Sequence, residues 1–165
     1  MFPSKSLQRL LALLLILLSL GGCAASPATP ESLVQAMMQA EKPLPAGRLY
    51  VLSAPSDNAK TPTEELLAVT FGNGTLPPEL SQVTDAAFFL SYTQPCEFAV
   101  FLCTNRAATE AVARMCLRRV DTVLRAQGEV DQEIAAHAVT VRGRWVILCL
   151  SSDPQSALRA FRQGL

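Results

Sequence analysis

Histidine and tryptophan each occur once in 165 residues, tyrosine twice, and charged residues make up only 17% of the chain. A single histidine, His137, and five cysteines with no CxxC pair do not supply the locally spaced ligands of an ordinary zinc site. The glycines form no Walker or Rossmann loop, and neither a GxSxG elbow nor an HExxH helix is present. Gly72-Asn73-Gly74 is too short for a phosphate loop, lacks a following lysine, and reads as a turn. Charge is equally uninformative: 14 basic residues balance 14 acidic ones. That balance excludes an electrostatic drive toward nucleic acid or anionic lipid as a default property. No internal repeat of solenoid length is visible. No catalytic, cofactor-binding or metal-ligating residue is therefore assigned, and the chain is expected not to be an enzyme.

What is abundant is aliphatic, and part of it is local. Lys5 and Arg9 precede an apolar run, Leu10–Leu20, broken only by Ser19. As a helix this run is ~17 Å long, short of a bilayer core of ~30 Å. No basic stop-transfer cluster follows, so the segment reads as a secretory signal peptide. It closes on Leu20-Gly21-Gly22-Cys23, which resembles the bacterial lipobox, an aliphatic and two small residues before a cysteine. The resemblance implies diacylglyceryl transfer to the Cys23 thiol, cleavage before it, and residence on the outer face of the cytoplasmic membrane. The expected organisation is a lipoprotein signal peptide over 1–22, a lipidated cysteine and tether over 23–30, and one domain over 31–165. The Ala, Ser, Pro and Thr residues of the tether offer nothing large to pack.

Within the domain, Thr29-Pro30-Glu31 is a helix entry with an N-cap, a first-position proline and an acid in the first turn. Leu33, Val34, Met37 and Met38 follow at helical spacing. Arg48–Ser53 reads as a short strand, Pro55–Lys60 as a loop, and Thr61-Pro62-Thr63-Glu64 as a second helix entry continuing to Val69. Ala86–Tyr92 and Phe98–Cys103, separated by Thr93-Gln94-Pro95-Cys96, form a hairpin. Arg106–Gln127 is the longest helix, with Val112, Cys116, Val120 and Val123 inward and Glu110 placed to pair with Arg114; Gly128 ends it. Val139–Val141 and Trp145–Leu150 make a second hairpin around Gly143, and Asp153-Pro154 opens a last helix that turns Leu158 and Phe161 inward.

The remaining candidates read as scaffold. His137 sits between Ala136 and Ala138 near a strand start. Glu129, Asp131 and Glu133 alternate along a solvated loop, too few oxygens for calcium. Arg114, Arg118, Arg119 and Arg125 make a solvated helix face rather than a phosphate stripe. Trp145, Phe88, Phe89, Phe98 and Phe101 are expected in the core. Cys103, Cys116 and Cys149 are expected reduced and buried, with a Cys103–Cys149 bridge as the competing arrangement.

Taken in order, the lipobox, tether, first helix, Phe-rich strand pair, long Arg/Ala helix and Val141-Arg-Gly-Arg-Trp-Val-Ile-Leu resemble small lipoproteins of Gram-positive bacteria classed as a domain of unknown function. The resemblance runs from Pro30 onward and is clearest after Ala86. This chain is arginine- and cysteine-rich where that group is lysine- and acid-rich. It implies no catalytic residues. The expectation is an α+β fold: a two-layer domain with a small, largely antiparallel sheet of about four strands and helices on one face. The expected role is a non-enzymatic, membrane-anchored module binding an envelope protein or ligand. An envelope hydrolase or transferase, or a structural subunit of an envelope complex, is the alternative.

Overall fold

The computed structural model describes residues 27–126, 128 and 137–165. The signal peptide, Cys23, Gln127 and the acids Glu129, Asp131 and Glu133 lie outside the described residues. The elements are α1 (Pro30–Ala40), β1 (Gly47–Val51), α2 (Glu64–Phe71), a 3-10 turn (Pro78–Gln82), β2 (Val83–Ser91), β3 (Glu97–Cys103), α3 (Arg106–Ala126), β4 (Val139–Arg142), β5 (Trp145–Leu150) and α4 (Pro154–Gly164). The sheet is antiparallel throughout, in the order β1-β2-β3-β5-β4. The chain is thus an α+β fold with an open sheet, carrying five strands where about four were expected.

The two-layer arrangement with helices on one face is corrected: both faces are covered. The reason lies in β2, β3 and β5, which read Ala-Ala-Phe-Phe, Phe-Ala-Val-Phe and Val-Ile-Leu-Cys-Leu without a polar alternation. A strand that is apolar at every position must be buried on both faces. Phe88, Ala99, Phe101, Cys103, Val146 and Leu148 face α2 and α3, packing with Leu67, Phe71, Val112, Met115 and Cys116. Their neighbours Ala87, Phe89, Phe98, Val100, Ile147 and Cys149 face α1 and α4, packing with Leu33, Val34, Met37, Ala157 and Phe161. On the first face Phe71 sits edge-on to Phe88 and Phe101, with ring centroids at 5.3 and 5.5 Å.

The helix entries form near the residues that mark them, α2 starting two residues after the Thr61-Pro62 pattern places it. Thr29 caps α1 in a reciprocal box with Ser32, Thr63 caps α2 and Asp153 caps α4. Gly128 and Gly143 take the positive φ values, 74° and 61°, that suit a helix end and a tight hairpin. On α3 the i,i+4 ion pair is Asp121–Arg125 at 2.8 Å, rather than the expected Glu110–Arg114. All four cysteines among the described residues are free and buried. Cys103 and Cys149 occupy opposite faces of the sheet, so the competing bridge between them does not form.

Candidate functional site

Cavities open at both ends of the sheet, built by different elements. At the end of the sheet where β5 stops, α1 also stops, and its C-cap Glu41 turns under the loop Ser151–Asp153. The Glu41 carboxylate accepts from the Ser151 hydroxyl, from the Ser152 hydroxyl at 2.6 Å and from the Ser152 N–H at 3.3 Å. Glu41 is only 4% exposed. Burial alone raises its pKa, yet these three donors outweigh that and hold the carboxyl below its ordinary value. Beside this cluster His137, Cys149, Ser151, Ser152 and Pro154 line a cavity of about 340 Å³.

Serine, histidine and carboxylate thus meet in one place, but not in a nucleophile's geometry. Both serine protons are committed to a carboxylate whose basicity is lowered, and no hydrogen bond joins exposed His137 to a carboxylate of the described residues. Cys149 and neighbouring Cys96 are pushed up to about 12, chiefly by burial, which keeps them as thiols rather than nucleophilic thiolates. The cluster ties α1 to α4.

At the opposite end, the loop before α2 and the Pro-rich turn after it enclose a cavity of about 560 Å³ among Leu52, Pro62, Leu67, Leu76, Pro77 and Leu80. Leu76 is 47% exposed at its rim. Sequence reasoning passed over this groove, because Pro77-Pro78 reads as a chain breaker and the leucines come from separate segments. A further cavity, about 370 Å³, lies where Tyr92, Gln94 and Pro95 face Thr122 on α3. Its wall is the Arg119–Glu97 pair, a two-pronged contact joining α3 to β3 (Arg119 Nε to Glu97 Oε2, 3.0 Å).

No known family matches this chain. Its comparison with curated proteins and with solved structures likewise returned no similar protein. The geometry therefore carries the reading alone, and it disperses the arginines that the sequence aligned. Arg118 pairs with Glu79 at 2.7 Å, Arg119 with Glu97 and Arg125 with Asp121. The expected solvated face is in fact partly a set of pins between α3 and its neighbours. Phe88, Phe89, Phe98 and Phe101 lie in the core as expected, while Trp145 is half-buried. Other arginines, which no motif singled out, gather elsewhere: Arg106, Arg142 and Arg144 are exposed at the end of the sheet where β3 stops and β5 starts.

Proposed function

We propose that this chain is a lipid-anchored extracytoplasmic module that binds a partner or ligand at the cell envelope, with Cys23 as its attachment point. The observation that carries this reading is the position of Cys23. The Leu20-Gly21-Gly22-Cys23 sequence ends six residues before Thr29, where a closed capping box begins the folded domain. Acylation at Cys23 would leave the fold untouched, and six residues span at most about 20 Å, so the domain stands next to the bilayer. The likeness to small Gram-positive lipoproteins belongs to the same proposal. A binding role, rather than hydrolysis, is supported by the groove at Leu52, Leu76 and Pro77, whose chemistry is apolar contact. Two acyl chains on Cys23 suffice for stable attachment.

The test is metabolic labelling with a fatty-acid analogue. The parent chain incorporates label, whereas Cys23→Ala blocks lipid transfer, so that unlabelled precursor accumulates or is cut elsewhere and released. Label retained by Cys23→Ala, or absent from the parent, overturns the assignment.

A further inference from the structure

Although the chain is neutral overall, its topology gathers exposed arginines on one half of the sheet end nearest the anchor, while Asp57, Glu64 and Glu65 lie on the β1–β2 half of that end. The Glu41 contacts fix the C-terminus of α1 beside the end of β5, so the N-terminus of α1, to which the tether joins, lies at the opposite end of the sheet. Three other elements deliver arginines to that end. The β4–β5 hairpin brings Arg142 and Arg144, and Cys103 N–H donates to the Arg144 carbonyl at 2.8 Å, joining the hairpin to the end of β3. The start of α3 brings Arg106. The last turn of α4 brings Arg162, since α4 runs back from β5 until Gly164 meets Leu33 in the first turns of α1.

All four guanidinium groups are exposed, and none lies within 4.0 Å of a carboxylate of the described residues. The same end also carries carboxylates, most of them on its β1–β2 half. Glu31 is paired with Lys60 at 2.6 Å, and Asp85 accepts from the Ser53 and Ala86 N–H groups. Asp57, Glu64 and Glu65 belong to the loop before α2 and its first turn, on the β1–β2 half. Glu110, one turn into α3, is the carboxylate nearest along the helix to Arg106. Two apolar side chains, Val141 at 48% and Leu165 at 45% exposure, flank the arginines.

We propose that this end, carrying Arg106, Arg142, Arg144 and Arg162, docks on anionic phospholipid headgroups and fixes the orientation of the domain on the membrane. The inference rests on the Cys23 anchor described above, which supplies attachment and keeps the arginines within reach of the surface. Docking supplies direction: it turns the Glu41 end outward. Arginines this close to an anionic leaflet are attracted over about a Debye length and lose that attraction in salt.

Trp145, the single tryptophan, follows Arg144 and reports docking directly. The full lipidated chain is reconstituted into vesicles carrying a headgroup nitroxide, made of phosphatidylcholine alone or of an equimolar mixture with phosphatidylglycerol. Quenching of Trp145 is expected in the mixture, not in phosphatidylcholine, and is expected to disappear in high salt while the protein still floats with the vesicles. Arg142→Gln/Arg144→Gln lowers the ratio of docked to undocked protein about thirtyfold, at the increment per arginine usual at anionic surfaces. Arg106→Gln/Arg162→Gln, on other elements, does the same and guards against a local defect in the hairpin. Equal quenching in both vesicle types, or quenching indifferent to both double variants, overturns the proposal. Failure to float in high salt overturns the anchor instead; docking is then read from salt-reversible flotation of the same chain with the phosphatidylglycerol vesicles alone.

Discussion

Glu41 keeps its charge at 4% exposure because three donors converge on it, two serine hydroxyls and one backbone N–H. Its folded pKa lies below its ordinary value of 4.5. The resulting stabilisation is complete above that value and is lost as pH falls through the lowered folded pKa. Glu41→Gln should therefore cost about 1.5–3 kcal/mol at neutral pH, the range for hydrogen bonds to a charged group. The variant should also lose less stability than the parent on acidification below the ordinary carboxylate range. Urea melts of both chains across that range check it, and parallel curves would refute it. The buried thiols offer a second test. Burial raises all four of Cys96, Cys103, Cys116 and Cys149, so thiolate is scarce near neutral pH. A thiol reagent should label the native domain slowly. After denaturation without reductant, Cys103, Cys116 and Cys149 should all titrate; fewer than three free thiols would show that the domain is bridged.

Individual elements were legible in the sequence to the degree that their signals are local. The entries at Thr29, Thr63 and Asp153 and the turn at Gly143 were readable because caps and tight turns are chosen by one or two residues. The second cover of the sheet was not read, although the unbroken apolar runs of β2, β3 and β5 carried the signal. The Glu41 cluster, the Leu76 groove and the arginine end were invisible for another reason. Each joins residues distant in sequence: Glu41 with Ser151, Leu52 with Leu76, Arg144 with the Thr104 carbonyl just before Arg106. Only topology makes them neighbours. The proposed attachment at Cys23 is the reverse case, since it rests on local spacing alone. Packing at β1 is similarly non-local, since a Cβ on Gly47 would overlap the Leu90 carbonyl oxygen and the Phe89 ring. Gly47→Ala should detach the start of this edge strand and cost about 1–3 kcal/mol, as overpacking does. Chemical denaturation measures the loss; a variant as stable as the parent would show that the strand yields freely.

At the scale of the whole molecule, two cores share one sheet and β3 serves both by turns: Phe98 and Val100 face α1, Ala99 and Phe101 face α3. Damage on either side should therefore propagate. Phe71→Ala and Phe161→Ala, one on each face, should each lower stability by about 3–5 kcal/mol. Each should leave a single unfolding transition, coincident by tryptophan fluorescence and far-ultraviolet circular dichroism. A separate early transition in either variant would show that the two faces melt independently. The strand order has a further consequence in time. The chain is delivered from its N-terminus, and β3 meets its second neighbour only when Trp145–Leu150 has been made. Until then the outer edge of β3 is an open template, and α1 waits for α4, the last element of all. A nascent chain of this protein is therefore adhesive from the completion of β3 until β5 and α4 have followed it. That interval is when a holding factor or a protease meets it.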